Sequence, residues 1–471
     1  MRLLFLLLFP FLLPAQELPP VLTEGDFLEL VATHHPLAVR AALQRDRAAA
    51  VLRQARGGFD PKVYGDLDQK YFKGTNYYSH VEGGVKIPTW FGVELNAAYE
   101  RNDGTYLNPE LRVPEEGLYA AGVTLSLGQG LFFDERRAEL QRAQIYQRAT
   151  VAERQVLLNE LLYEAGGAYW EWAGAQAATQ VYRDAVALAR TRYEAVVAGA
   201  RLGDRPAIDT LEARIQVQSR QLSLEGALLD LANTTARLNA FLWLDGVLPV
   251  ELTESTLPPP PETVVVAPLL APLPNLTNPE LLRTQFKIDQ LEVDQRLQRE
   301  LLKPRLDVKY NALLSGGTND PIEDYSSNNY KWGVKFSQPL LLRKERGKLQ
   351  LTQIKLSETQ LELSDKAALL RAKVAQAENE ANVTVSQFDL ASKNVVDYAQ
   401  LLAGEQALFR AGESSLFLVN SREVKYIDEQ VKRIELLVKH RKARLARAFA
   451  TGELAQTQLP GPGLGEAPST E

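Results

Sequence analysis

Few residues in this 471-residue chain have the types and spacing that group transfer or metal chemistry needs. Cysteine is absent, which removes thiol nucleophiles, thiolate metal ligands, disulfides and an N-terminal lipid-modified cysteine together. The four histidines are His34, His35, His80 and His440, and none belongs to a metal-binding helical pair of the His-Glu-x-x-His kind. His34-His35 stands before Pro36, where it most simply ends a short helix. Neither a phosphate-binding glycine loop nor a dinucleotide fingerprint occurs. Carboxylates are abundant, yet nothing places two of them across a cleft as a hydrolytic acid/base pair. The expectation is a protein that is not an enzyme and holds no metal or cofactor. Net charge is −6 with acids and bases well mixed, so no basic stripe suits a nucleic acid, which is not an expected partner.

The elements that must position such residues begin with a targeting segment. Arg2, the apolar run Leu3–Leu13 and the exit Leu13-Pro14-Ala15 follow the charged, apolar, small order of a cleavable secretory signal, predicted over residues 1–15. The run is too short for a membrane anchor, since an apolar helix needs ~20 residues to cross hydrocarbon. Val264–Leu273 is also apolar but is cut by Pro268 and Pro272. A membrane-spanning form of this chain therefore spans as strands.

The chain repeats itself. Pro36 lies 25 residues before Pro61, and Pro279 lies 25 before Pro304. Val123-Thr124-Leu125-Ser126 precedes a helical stretch carrying Glu135-Arg136, as Val334-Lys335-Phe336-Ser337 precedes one carrying Glu345-Arg346. Gly203-Asp204-Arg205-Pro206 and Gly412-Glu413-Ser414-Ser415 each interrupt a long helical pattern. Both halves read as helix, strands, very long helix, break and return helix. The predicted organisation is a first repeat over 16–256, a Pro-rich linker over 257–275, a second repeat over 276–454 and a disordered tail over 455–471.

Arg305–Ala312 alternates Leu306, Val308, Tyr310 and Ala312 against Asp307, Lys309 and Asn311, and Tyr330–Ser337 alternates in the same way. Gly316 to Pro321 supplies turn residues between them. The first half holds similar segments at Pro61–Phe72, His80–Ile87, Phe91–Tyr99 and Leu118–Leu127, offering either two strands with a large loop or four strands. Such segments are near the ~9–11 residues of a tilted membrane strand, although a β-sandwich alternates too.

The helices favour the membrane reading. About Leu131 to Ala200 there is almost no breaker but Gly166-Gly167, and at ~1.5 Å per residue the helix would run on the order of 100 Å. Lys344–Ala411 matches it, with return helices over Arg205–Leu244 and Ser414–Ala450. Apolar and small residues recur at three- and four-residue intervals, as in Leu157, Leu161, Ala165, Ala168 and Val374, Ala377, Ala381, Val385, so the helices must pack on one another or on copies of themselves. A secreted helical stalk or adhesion protein with a small β domain is the other reading; it accounts for the helices and not for the strand pairs.

The duplicated order, with His35-Pro36, Phe59-Asp60-Pro61, Ser337-Gln338-Pro339-Leu340 and the breaks Tyr193…Gly199…Gly203 and Arg410 to Ser415, resembles the TolC-like outer-membrane efflux protein family over about Glu24 to Leu454. The resemblance implies a membrane β-barrel plus a long α-helical barrel, closed by trimerisation. Each subunit of the homotrimer would give four strands to a twelve-stranded barrel in the outer-membrane lipid and its helices to a tunnel through the periplasm. It also implies docking onto a periplasmic adaptor, the membrane fusion protein, coupled to an inner-membrane transporter. Gly199, Gly203, Asp204, Arg410, Gly412, Glu413, Ser414 and Ser415 fall where such proteins meet the adaptor, and all would serve equally as turn and cap residues. Asp209 and Glu212 match the family's entrance acids, but Leu418 and Ser421 occupy the corresponding places in the second half. The two acids also suit a solvated helix surface.

Overall fold

The computed structural model describes residues 19–253, 255–269, 278–316 and 326–457. The expected signal over 1–15 and most of the predicted Gly316 to Pro321 turn lie outside these residues. In chain order the first half holds α1 (Glu24–His34), α2 (Pro36–Arg56), β1 (Lys62–Phe72), β2 (Thr75–Pro88), β3 (Val93–Asp103), β4 (Leu118–Gly128), α3 (Glu135–Leu202) and α4 (Ala207–Asn239). A hairpin of β5 (Trp243–Leu244) and β6 (Leu248–Pro249) follows. The second half holds α5 (Pro279–Glu300), β7 (Arg305–Ser315), β8 (Tyr330–Ser337), α6 (Arg343–Ala411), α7 (Leu416–Thr451) and the short α8 (Leu454–Thr457). The chain divides into two compact units, one of residues 43–154 and 279–367 and one of the remainder.

The first unit is built on an antiparallel six-stranded sheet, ordered β1-β2-β3-β4-β7-β8. Its register puts residues of like polarity on one face. Leu306 opposes Phe336, Val308 opposes Val334, and Tyr310 opposes Trp332, while Val123 and Leu125 of β4 oppose Tyr310 and Val308. The same face continues through Leu95 opposite Val123, Ile87 opposite Leu95, and Val63 opposite Val85. On the other face polar groups bond across strands. Tyr64 donates to Glu82 at 2.9 Å, Ser126 to Asp307 at 2.7 Å, and Asn96 to Asn311 at 2.9 Å. That last bond reaches across β4 at Gly122, where a Cβ would stand 1.9 Å from the Tyr310 carbonyl oxygen.

All four alternating segments of the first half are strands, and they are contiguous. The sheet therefore has six strands, two more than the four per subunit that the resemblance implies. The reason is local: His80–Ile87 and Phe91–Tyr99 alternate in phase with their neighbours, so the β2–β3 hairpin pairs along its length with β1 and β4.

The second unit has its main core where α1, α3, α4 and α7 meet, around Phe27, Leu158, Leu162, Tyr169, Leu238 and Leu445. Tyr169 is 1% exposed, stacks on Phe27 and donates its hydroxyl to the Leu22 carbonyl at 2.9 Å. α3 runs unbroken through Gly166-Gly167. At Gly166 a Cβ would come 2.8 Å from Leu445 Cδ1, so the glycine is the close-approach point of α3 and α7. α3 and α6 have 68 and 69 residues, and α4 and α7 have 33 and 36, which is the internal duplication expressed in length.

The return helix expected over Arg205–Leu244 ends earlier, at Asn239. Asp245 and Gly246 both adopt positive φ, of 49° and 71°, and their turn pairs Trp243–Leu244 as β5 with β6 in place of the expected helix. At the C-terminus α8 covers the first residues of the expected 455–471 tail, with Ala455 1% exposed in the core, and the rest of that tail lies outside the described residues. The Pro-rich segment is held by named contacts: Leu257 pairs with Val21, Arg433 bonds Glu262, and Arg441 donates to the Val265 carbonyl. Among the described residues no helix is long and apolar enough to cross a membrane.

Tyr169→Phe should lower unfolding stability by about 1–2 kcal/mol through the orphaned Leu22 carbonyl, measured by thermal or denaturant melting. His440 gives a pH dependence. It is fully buried, its Nδ1 lies 3.1 Å from the Ala381 carbonyl oxygen, and burial holds its pKa below the ordinary 6.5 despite that bond. The unfolded chain therefore takes up a proton that the folded chain refuses, and stability should fall as pH drops through 6.5. His440→Gln should remove that share of the fall in Tm between neutral and mildly acidic pH.

Candidate functional site: the helix turns and the network behind them

The two breaks adopt the same backbone device. Gly203 has φ +80° and Gly412 has φ +79°. Asp204 N–H donates to the Gly199 carbonyl at 3.0 Å, and Glu413 N–H donates to the Leu408 carbonyl at 2.9 Å, each reaching back five residues. Gly203 and Gly412 N–H groups donate to Ala200 and Phe409. This is the left-handed helix end for which glycine has no Cβ penalty. The restarts differ. Pro206 precedes α4 with no side-chain cap, whereas the Ser415 hydroxyl accepts from the Leu418 N–H at 3.4 Å.

The turns also touch each other. The Arg205 guanidinium lies 3.9 Å from the Phe409 ring centre, and Val196, Ala213 and Leu416 form a small core beneath, flanked by Tyr193 and Phe409. Ser414 bonds Glu405, which also pairs with Arg422 at 3.7 Å. Gly203, Asp204, Arg410, Gly412, Glu413 and Ser415 are exposed, while Gly199 and Ser414 are half-buried. Leu202, Ile208 and Phe417 add exposed apolar surface nearby, at 78, 66 and 67%. The structure thus brings all eight expected turn residues together at one pair of adjoining turns.

Of the two acids expected at an entrance, Glu212 enters a network and Asp209 does not. Asp209 sits half-buried in the first turn of α4. Glu212 accepts from Asn420 Nδ2 at 3.0 Å, and Asn420 Oδ1 accepts from Arg192 at 3.2 Å. Arg192 also contacts Glu423, whose other oxygen is 3.6 Å from Arg220 Nε. Glu423 is 2% exposed. One buried carboxylate therefore holds arginines from α3 and α4 against α7. Sequence reasoning missed Glu423, Arg192 and Arg220, although Leu416, Val419, Asn420, Glu423 and Ile427 follow one helical stripe and the polar members mark it.

The histidines serve structure. His35 caps α1 and lies between Phe241 and Trp243, and burial lowers its pKa. Among the described residues no group of three or more His, Asp or Glu side chains could hold a metal ion.

Against known proteins, residues 275–451 match the family described as outer membrane efflux protein. No curated protein matches the sequence. Among solved structures the chain is similar to the Campylobacter jejuni CmeC outer membrane channel, at 13% identity and TM-score 0.65, covering 91% of this chain and 85% of that one. It is similar to the Vibrio cholerae outer membrane protein VceC at 13% identity and TM-score 0.64, covering 91% and 96%. It is also similar to the open state of the Neisseria gonorrhoeae MtrE outer membrane channel, at 13% identity and TM-score 0.65, covering 91% and 88%. Residues 275–451 thus match the outer membrane efflux protein family, and the chain as a whole shares the fold of those outer membrane channels, in keeping with its resemblance to the TolC-like outer-membrane efflux proteins.

Proposed function

We propose that the protein is the outer-membrane channel subunit of a tripartite efflux or type I secretion system. It forms a passive trans-periplasmic exit duct, without catalysis, for substrates delivered by an inner-membrane transporter and a periplasmic adaptor. The observation that carries this reading is the six-stranded sheet with one apolar face, bounded by aromatic residues at both strand ends. Trp90, Phe91 and Phe132 stand exposed at the end where the helices join, and Tyr71, Phe72 and Tyr106 at the other. Exposed aromatic girdles flanking an apolar band suit a lipid face. A soluble stalk has no use for such a face.

The adjoining turns supply the docking end for the adaptor, through Gly199, Gly203, Asp204, Arg410, Gly412, Glu413, Ser414 and Ser415, with exposed Leu202, Ile208 and Phe417 beside them. The Glu423 network acts as the clasp that keeps α3, α4 and α7 together at a closed entrance. Asp209 and Glu212 are the candidate entrance acids, Glu212 being tied to the network by its bond to Asn420. Three copies in one ring would form the duct.

Detergent-purified protein in a planar bilayer should give discrete conductance steps and run as a heat-labile trimer on a native gel; a detergent-free soluble monomer without conductance would favour the stalk. Glu423→Ala removes the carboxylate from buried Arg220 and leaves Arg192 only its bond to Asn420, at a cost of about 3–5 kcal/mol in stability. It should also raise single-channel conductance, whereas Glu423→Gln should do so less. Unchanged conductance in a folded Glu423→Ala trimer would rule out the clasp.

A further inference from the structure

The β2–β3 hairpin stands between β1 and β4 as part of the sheet, and its two faces have the same polarity as the rest. On the apolar side Val81, Val85 and Ile87 of β2 and Val93, Leu95 and Ala97 of β3 continue the band. On the other side Glu82, Lys86, Glu94 and Asn96 continue the polar face. A hairpin projecting from a barrel as a loop would have no reason to keep this phase. A hairpin within the wall must keep it, because one face meets lipid and the other water.

β1 and β8 are the two edges of the sheet. In hydrocarbon every edge N–H and C=O must be paired, so both need partners. The connections fix the kind of partner. β1 begins, β4 ends, β7 begins and β8 ends where the chain leads from or into helices α2, α3, α5 and α6, so all four helix junctions lie at one end of the strands. Copies related by a two-fold axis across an edge would point these junctions to opposite sides of a membrane. Copies in one ring keep them on one side. With an even number of alternating strands, β8 of one copy then runs antiparallel to β1 of the next, and the polar faces meet with opposite charge: Asp66 and Asp68 on β1, Lys331 and Lys335 on β8.

Resting on the trimeric channel proposed above, we infer that a second copy of this chain occupies each edge, β8 against β1. Three copies of six strands then close an eighteen-stranded barrel in place of the twelve-stranded one that four strands per copy would give. With strands ~4.8 Å apart and tilted ~40°, the backbone diameter is about 36 Å, against about 24 Å for twelve strands. The enclosed cross-section is about 2.3-fold larger, in the range where porin-sized barrels leave an aqueous channel.

The absence of cysteine makes the test direct. Val123→Cys on β4 and, in a separate protein, Val308→Cys on β7 would each carry one nitroxide label, and the distance between copies would be measured by pulsed electron paramagnetic resonance on the detergent-purified full chain. Eighteen strands place equivalent backbone positions about 31 Å apart and twelve strands about 21 Å, a ratio of about 1.5. The longer distance at either site is the expected result. The shorter one would overturn the wide barrel and put β2–β3 outside the wall, while leaving a trimeric channel intact. A labelled protein with no distance between copies and no conductance would instead remove the channel reading on which the inference rests. Oxidative crosslinking of Leu67→Cys/Trp332→Cys provides a second measurement, expected to give a covalent ladder ending at three chains; a ladder ending at two, or none in a conducting protein, would overturn the β8-to-β1 seam.

Discussion

A strand cannot leave its backbone N–H and C=O groups unpaired away from water, and the strand unit is organised around that constraint. Within the sheet every neighbour is antiparallel, with one register shift between Lys70 and Tyr71 of β1, so the ladder runs from β1 to β8. Only the two edge strands still carry unpaired groups. The alternation of side chains then decides which residues share the apolar face. Once Val308, Tyr310 and Leu306 share a face, pairing forces Val123, Leu125 and their neighbours onto it as well. A one-residue slip in any strand would exchange Asp307 and Lys309 for those apolar groups. The cross-strand bonds of the polar face, such as Ser126 with Asp307 and Asn96 with Asn311, fasten the same register from the other side.

The helical unit answers a different requirement. The helices of 68 and 69 residues take most of their stability from neighbours that pack along them. Small residues set the distance. Gly166 meets Leu445 and Gly174 meets Val438, where any Cβ would clash. Buried alanines such as Ala165, Ala168, Ala377 and Ala381 do the same at other levels. At the turns the packing thins to a small core around Val196, Ala213 and Leu416, and charge takes over. Glu423 faces two arginines there, an arrangement whose value lies in holding three helices to one geometry more than in net stability.

The turns and the network differed in how readable they were. Gly203 and Gly412 could be identified from the chain alone because a left-handed helix end demands glycine, a rule local to a few residues. Ser415 as a cap is local in the same sense. The network was not readable in this way. Arg192, Glu212, Arg220, Asn420 and Glu423 come from three helices, and their charges look like ordinary surface charges until packing buries them. The return helix after Gly203 was misjudged at its end for a related reason: Phe241–Leu244 continues the apolar helical pattern, and only the Asp245-Gly246 turn marks the reversal.

By itself the sequence determined the internal duplication, the long helices with their glycine breaks, and the period of every membrane-suited strand. Each of these follows from side-chain periodicity or from the conformational freedom of single residues, which neighbours in the chain suffice to express. It left open whether His80–Ile87 and Phe91–Tyr99 belong to the wall or to a loop, since alternation gives a strand two faces without naming its partners. Tertiary structure pairs β2 with β1 and β3 with β4 in one sheet. It also decided which charges of α3, α4 and α7 leave the surface. Both depend on which elements meet one another, and the pattern within a single strand or helix does not name its partner.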